Sequence, residues 1–489
     1  MKLGDLLKGI DIIEKGASLE TEIGFIANDH RRVKANTVFV AINGTKRNGN
    51  DYIGEALKKG AVTIITDDTK RAMDNLPYVI VGDAREALSK MWSNFYRNPS
   101  NNIKTVAITG TNGKTSSAFF LFNICRHVGI SCALISTIGC FINEKPIEID
   151  GGGSVSDVAA AMTTPDPETL QYLYNKMKEN CVEVAVIEAS SHALAQKRLC
   201  GIEIEIGAFT NLSREHLDFH GNLDEYFYAK EELFKISKLG IVNIDDEYGK
   251  RLKEKYVNIY GFSTKEKTNF FANNIKLNSI GCEYSLIHGE DKIDIKTDII
   301  GKFTVYNSLL AASCAMLLGI EKTAIVEGIK MTKEIKGRLE RYENKNIYID
   351  YAHTPEAMKN VIQSIRRIDG KKRLIVLFGC GGDRDSGKRA EMGRICSAYA
   401  DYTVITSDNP RSEDPQKIIA DILSGVDKSK EYIVIENRKE AIEKIAPCLK
   451  ENEILLLLGK GHEEYEITKD GKRFFSEREV LDRVFSSDK

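Results

Sequence analysis

A short β-branched run at residues 105–108 gives way to T-G-T-N-G-K-T (Thr109–Thr115) and then to an apolar stretch with few breakers that reaches Val128. The order strand, glycine loop, Lys-Thr and helix is one that can hold a nucleoside triphosphate. Backbone N–H groups of such a loop and the N-terminus of its helix face the phosphates. Lys114 would reach the outer phosphates, and the Thr115 hydroxyl would ligate Mg²⁺. The strict G-x-x-x-x-G-K-[ST] spacing is not met, because Ile108 stands five residues before Gly113.

Size and charge bound the rest. A chain of 489 residues has room for roughly three domains of about 150 residues each. With 42% hydrophobic and 29% charged residues, its composition is that of a globular protein. A net charge of −2 gives no electrostatic case for nucleic acid or an anionic membrane. The ten cysteines show neither C-x-x-C pairs nor zinc spacing, as expected of reduced thiols in the cytoplasm. The start, M-K-L-G-D-L-L-K-G-I, places charges where a signal peptide needs an apolar core, and no apolar run is long enough to span a membrane. A soluble, cytoplasmic chain is expected.

Residues 1–102 read as a first domain, with strands at 38–42, 61–66 and 78–81 and helices near 53–59 and 85–97. The polar stretch Asn98-Pro99-Ser100-Asn101-Asn102 is the best linker in the chain. The polar loops at Asp29-His30-Arg31 and Gly44-Thr45-Lys46 suit either a ligand pocket or plain solvation. Residues 103–336 form a second domain around the phosphate loop. Its strand at 182–188 ends in Glu188, and ligands of open α/β sheets sit beyond strand C-termini, so Glu188 is placed to meet Mg²⁺. The strand at 206–211 leads into S-R-E-H-L-D-F-H (Ser213–His220). On a helix, His216 and His220 would share a face, but no third ligand has zinc spacing and a structural zinc site is rejected. Lys230, in F-Y-A-K-E-E-L-F, reads on its own as a solvated lysine of an amphipathic helix. Residues 250–302 alternate short strands and turns, and helices follow at 305–318 and 322–331.

Residues 337–489 alternate strand and helix, the pattern of a doubly wound parallel sheet. Its strands end in D-Y-A-H-T-P (Asp350–Pro355), G-C-G-G-D-R-D (Gly379–Asp385), S-D-N-P-R (Ser407–Arg411) and G-K-G-H-E (Gly459–Glu463). Four polar loops, two of them glycine-rich, at one sheet edge make a binding face. Arg384 and Arg411 suit carboxylates, and Glu463 suits an ammonium group. A domain for ATP and Mg²⁺ beside one for a zwitterion describes an enzyme that activates a carboxylate for attack by an amine.

T-G-T-N-G-K-T, E-A-S-S-H-A-L, N-L-S-R-E-H-L-D-F-H, Y-A-K-E-E-L-F, G-R-L-E, D-Y-A-H-T-P, F-G-C-G-G-D-R-D and D-N-P-R-S-E occur in one order along the chain. Together they resemble the Mur ligases of peptidoglycan synthesis, and among these the members that add diaminopimelate. The resemblance implies an α/β fold of three domains, with a central P-loop ATPase domain and a C-terminal Rossmann-like doubly wound sheet. It also implies a cytoplasmic, ADP-forming ligase that works through an acyl phosphate and acts as a monomer on a UDP-N-acetylmuramoyl dipeptide and meso-diaminopimelate.

Carried over by position, Gly110, Thr111, Asn112, Gly113, Lys114, Thr115 and Ser116 match the ATP loop, with Asn307, Arg338, Asp350 and His353 around the nucleotide. Thr115, Glu188 and His216 match the Mg²⁺ environment. Lys230 matches a lysine that family members carry as a carbamate, which replaces the solvated assignment. His30, Thr45, Thr163, Thr164, Ser190, Gln196 and Arg198 fall at positions for the UDP substrate. Arg384, Asp408, Asn409, Pro410, Arg411, Gly459 and Glu463 match the diaminopimelate site, where D-N-P-R is the specificity signature. His30 and Thr45 stand where the family usually carries serine and histidine, and Glu215 where it carries aspartate. The alternatives are the same reaction with L-lysine, a folylpolyglutamate synthetase-like ligase, a P-loop kinase, and a non-catalytic nucleotide-binding regulator.

Overall fold

The computed structural model describes residues 1–44, 47–69, 76–149, 153–154, 162–368 and 370–486. The chain packs as two compact units, each assembled from separate stretches. One comprises Met1–Thr109, Ile130–Gly207 and Ala229–Gly240; the other comprises Gly110–Gly129, Ala208–Tyr228 and Ile241–Lys489.

In the first unit, a five-stranded sheet runs in the order Ile12–Lys15, Tyr78–Val81, Ala61–Thr66, Thr37–Ala41, Phe25–Ala27. Its first pair is antiparallel and the others are parallel. Thr37–Ala41 is buried throughout, so its side chains feed two cores in alternation: Val38 and Val40 one, Phe39 and Ala41 the other. The Ala84–Phe95 helix starts on Asp83, whose carboxylate accepts from the N–H groups of Arg85 and Glu86. It buries Ala84, Ala87, Leu88, Met91 and Trp92, the stripe of an amphipathic helix. The expected linker at 98–102 is a packed connection. It holds a 3-10 turn at Pro99–Asn102, where buried Ser100 accepts from the Glu203 N–H at 3.3 Å. Further along, Val184–Glu188 lies in parallel register between Lys104–Thr109 and Cys132–Ser136.

In the second unit, the Lys114–His127 helix packs against the Lys302–Leu317 and Lys322–Met331 helices. A Cβ at Gly328 would lie 2.6 Å from the Ile124 Cα, so this crossing requires glycine. The segment expected to hold short strands instead forms long ones: Phe270–Asn278, Gly281–His288 and Asp291–Thr297 pair as successive antiparallel hairpins.

The C-terminal sheet runs Glu340–Arg341, Ile347–Asp350, Glu453–Leu458, Arg373–Phe378, Tyr402–Ile405, Tyr432–Val434. It is parallel except for its first, short edge strand, which pairs antiparallel with Ile347–Asp350. Helices cover both faces. Leu374, Val376 and Phe378 meet the Pro355–Ile368, Gly387–Tyr399 and Pro415–Leu423 helices, while Ile375 and Leu377 meet Ala441, Ile442, Val480 and Leu481. Because Glu453–Leu458 inserts between Ile347–Asp350 and Arg373–Phe378, the loop after it emerges between theirs. That is a topological switch point, where open α/β sheets bind ligands. Among the described residues no helix is long and apolar enough to cross a membrane.

Candidate active site

The phosphate loop is shaped by its two glycines. Gly110 has φ +140°, and a Cβ there would fall 1.9 Å from the Thr210 Oγ1. Gly113 has φ +87°, and its Cβ would fall 2.5 Å from the Asn307 Oδ1. Neither position admits a side chain, so the backbone stays bare for a ligand. The loop is held from behind: the Asn112 N–H donates to the Asn211 Oδ1 at 3.0 Å, and the Thr210 hydroxyl donates to the Asn112 carbonyl at 2.7 Å. The Thr111 hydroxyl lies 3.2 Å from that of Tyr226. The N-cap of the Lys114–His127 helix is Gly113, which has no side chain to cap it. Lys114 curls over its own loop and donates to the carbonyls of Gly110 at 2.9 Å and Thr111 at 2.8 Å. Thr115 and Ser116 are buried, and the Arg338 Nη2 donates to the Thr115 hydroxyl at 3.0 Å.

Arg338 also lies over the Tyr351 ring, 4.7 Å from its centroid. Asp350 accepts from the Leu339 N–H at 2.6 Å and the Ala352 N–H at 2.7 Å, and burial pushes its carboxyl up. His353 faces acceptors on both sides, with Nδ1 2.8 Å from the Tyr351 carbonyl and Nε2 2.7 Å from the Glu215 carboxylate. Burial alone would raise Glu215, but His353, His216 and Lys388 hold it well below the usual carboxylate range. The neighbouring Arg214 donates to Asp385 at 3.1 Å. His216 sits at φ +56° just before the short Leu217–His220 helix, so it does not share a continuous helical face with His220.

In the first unit, Glu188 is fully buried at its strand end. Its Oε1 accepts from the Thr137 N–H at 3.1 Å, while Oε2 has no hydrogen-bond partner among the described residues. An orphaned carboxylate oxygen in the interior fits a cation. The Glu188 carbonyl accepts from the Thr164 hydroxyl at 2.8 Å, and the Ser190 N–H donates to the same hydroxyl at 2.9 Å. Arg198 donates to the Thr164 carbonyl at 2.7 Å and to the Gln196 Oε1 at 2.8 Å; burial lowers its pKa. Thr164, Ser190, Gln196 and Arg198 therefore form one polar cluster, with Thr163 beside it in the chain. Lys230 is 1% exposed, so it is not the solvated side chain that its helix alone suggests. His30 stacks on the Tyr52 ring at 4.3 Å with its Nε2 3.4 Å from Glu55, and the adjacent Asp29 is lowered to about 2, chiefly by its hydrogen bonds with Arg31. Thr45 lies outside the described residues. Among those described, no three His, Cys, Asp or Glu side chains gather as a metal site; the expected set mixes a hydroxyl, a carboxylate, an imidazole and a modified lysine.

The C-terminal loops converge as expected. Gly459 (φ +110°) passes Asp408 so closely that a Cβ would sit 2.8 Å from its Oδ2. A Cβ at Gly382 would strike the Pro410 carbonyl at 2.0 Å. Asn409 donates to Glu463 at 2.9 Å, and the Tyr465 hydroxyl donates to the same carboxylate at 3.2 Å. Arg411 (φ +52°) donates to the Gly382 carbonyl at 2.8 Å. Burial and the nearby Arg384 guanidinium both push the Arg411 pKa down. Among the described residues neither Arg384 nor Arg411 has a carboxylate within ion-pair distance. Two neighbouring guanidiniums, neither in a direct ion pair, suit an incoming carboxylate. Sequence reasoning missed Lys460, buried at the centre of this cluster, although a lysine between two loop glycines was a visible signal.

Comparison with known proteins identifies the family. Residues 108–315 match the Mur ligase middle domain, residues 337–461 the Mur ligase glutamate ligase domain, and residues 22–96 the Mur ligase family catalytic domain. The chain is 38% identical, over 99% of its length and 100% of the relative's, to a UDP-N-acetylmuramoyl-L-alanyl-D-glutamate–2,6-diaminopimelate ligase of Clostridioides difficile. It is 39% identical, over 98% of its length and 99% of the relative's, to the protein of that name from Clostridium perfringens. A solved structure under the same name superposes with a TM-score of 0.69 at 27% identity, covering 100% of this chain and 99% of that one. A folylpolyglutamate synthase of Mycobacterium tuberculosis shares the fold at 16% identity with a TM-score of 0.62, over 75% of this chain and 90% of that one. The chain belongs to the Mur ligase family.

Proposed function

We propose that this ligase joins meso-2,6-diaminopimelate to the D-glutamyl γ-carboxylate of UDP-N-acetylmuramoyl-L-alanyl-D-glutamate in the cytoplasm, with ATP converted to ADP and phosphate. The unpaired guanidiniums of Arg384 and Arg411 carry the choice of amino acid. Diaminopimelate brings a second carboxylate that L-lysine lacks, and binding lysine would leave the half-buried Arg411 guanidinium without that partner. Full-length similarity to diaminopimelate ligases, against fold similarity alone to the folylpolyglutamate synthase, sets the folate alternative aside.

The domains are taken as 1–102 for the UDP substrate, 103–336 for ATP and 337–489 for the incoming amino acid. Gly110–Ser116 cradle the triphosphate, with Lys114 released from its loop carbonyls to the phosphates. Asn307, Arg338, Asp350 and His353 border the nucleotide, Asp350 by holding the Leu339 and Ala352 backbone. Thr163, Thr164, Ser190, Gln196 and Arg198 bind the dipeptide end of the UDP substrate, and His30 and Thr45 its uridine end. Asp408, Asn409, Pro410, Arg411, Gly459, Glu463 and Arg384 receive diaminopimelate. By family correspondence, Thr115, Glu188, His216 and Lys230 as a carbamate would hold Mg²⁺, which supplies charge neutralisation at the phosphates. The orphaned oxygen of Glu188 is consistent with that assignment.

In the reaction, a γ-carboxylate oxygen attacks the terminal phosphorus of ATP and ADP leaves. The free amine of diaminopimelate then attacks the acyl phosphate, and the tetrahedral intermediate expels phosphate to leave the amide. Fixing the amine by its remote carboxylate and ammonium lowers the entropic part of the barrier. UDP substrate labelled with ¹⁸O in the γ-carboxylate tests this route. Label appearing in the released phosphate supports an acyl phosphate; unlabelled phosphate formed alongside amide product contradicts it.

A further inference from the structure

Lys460 has no role in the scheme above, yet it is buried without residual exposure in the loop between Gly459 and Gly461. Its ammonium donates to the Tyr465 carbonyl at 2.8 Å and to the Asn409 Oδ1 at 3.1 Å. It also lies 3.3 Å from the Asp408 carboxylate and 3.6 Å from that of Glu463. Burying an ammonium this completely is costly unless its charge and donors are satisfied, and these four groups satisfy both.

The consequence reaches three residues of the amino-acid site at once. Asn409 accepts at Oδ1 from both Lys460 and the Ile467 N–H, the latter at 3.0 Å, which turns its amide so that Nδ2 faces Glu463 at 2.9 Å. Asp408 and Glu463 bring two negative charges to the single positive charge of Lys460, and the Arg411 guanidinium also acts electrostatically on both carboxylates. Without Lys460, two neighbouring buried carboxylates would repel and the Asn409 amide would lose one of the donors that set its orientation. The loop is built around this placement. Gly461 has φ +53°, and a Cβ there would collide with Tyr351 Cβ at 2.7 Å. The carbonyl of Leu458, just before the loop, accepts from Arg438 at 2.7 Å.

We infer that Lys460 is a positioning residue of the amino-acid site: it orients Asp408, Asn409 and Glu463 and offsets part of their negative charge. The inference rests on the ligase function proposed above. Kinetics of the full-length protein test it, with meso-diaminopimelate, ATP and the UDP substrate varied in turn. Lys460→Met is expected to raise the KM for diaminopimelate about tenfold or more and to leave that for ATP within about threefold. Lys460→Arg, which keeps the charge, is expected to recover part of the loss. An unchanged diaminopimelate KM, or equal rises for ATP and diaminopimelate, overturns the inference.

If Lys460→Met does not unfold cooperatively, Lys460→Met/Asp408→Asn is compared with Asp408→Asn alone. A further rise of about fivefold in diaminopimelate KM supports action through Glu463 and Asn409, and equal values overturn it. A wild-type protein that does not respond to diaminopimelate overturns the proposed function and this inference together. A responsive wild type with an unaffected Lys460→Met variant overturns only the inference.

Discussion

The guanidinium of Arg338 donates to the hydroxyl of Thr115 at 3.0 Å, across 223 positions of sequence. A residue at the start of the C-terminal domain thereby holds the threonine that opens the phosphate-loop helix. The same guanidinium lies over the Tyr351 ring, so its position is fixed from two sides. A hydrogen bond from a charged donor contributes about 1.5–3 kcal/mol, or roughly tenfold to a hundredfold in affinity. Arg338→Ala is therefore expected to raise the KM for ATP at least about tenfold with a smaller effect on diaminopimelate, as steady-state kinetics would show. An ATP KM within twofold of wild type would detach Arg338 from the nucleotide site.

The proposed function gives Lys230 a part in the chemistry as a carbamate. Lys230→Ala should abolish amide formation, and short-chain carboxylates should restore part of it by supplying the missing negative charge. Full activity in the variant, or its loss without any carboxylate rescue, would contradict the assignment.

Arg411 tests the choice of amino acid. Arg411→Ala is expected to raise the diaminopimelate KM by a hundredfold or more, by loss of a charge-assisted pair worth about 3 kcal/mol, and to change the ATP KM little. Equal effects on both would remove Arg411 from the amino-acid site.

The buried pair Arg438–Glu477 supports the loop that carries Lys460. Its ions approach to 2.7 Å, and Arg438 also donates to the Leu458 carbonyl. Removing one partner of such a pair costs about 3–5 kcal/mol, whereas replacing both with apolar groups is often neutral. Glu477→Ala should lower stability by that amount in urea denaturation, and Arg438→Met/Glu477→Leu should be less destabilised than Glu477→Ala. A double variant at least as unstable as the single one would show that the pair is not the source of the loss.

What the sequence made legible follows the physics of each segment. The parallel strands of the C-terminal sheet were plain because they are apolar runs between helices, whereas the two-residue Glu340–Arg341 edge strand carries no such signal. The phosphate loop was equally plain, since Gly110 and Gly113 occupy places where no Cβ fits. The Ile12–Lys15 strand was invisible: it is an exposed sheet edge without alternation. The Glu247–Lys255 helix was hidden because it buries only Gly249 and Leu252 under a charged surface. Residues 98–102 misled by composition, as Pro99 and Ser100 are buried in a 3-10 turn while the asparagines around them face outward. Lys230 and Lys460 show the deeper limit. A lysine inside a packed site and one in solvent share the same letter, and only the tertiary surroundings separate them; for Lys230 the family resemblance supplied the difference.

The most direct test of the account is phosphate release by the pure protein with ATP, Mg²⁺ and UDP-N-acetylmuramoyl-L-alanyl-D-glutamate, supplied with meso-diaminopimelate, with L-lysine or with no amino acid. Release that depends on diaminopimelate and is not supported by lysine is the predicted result. Equal release with lysine would contradict the role given to Arg384 and Arg411, and no release under any condition would contradict the proposed reaction itself.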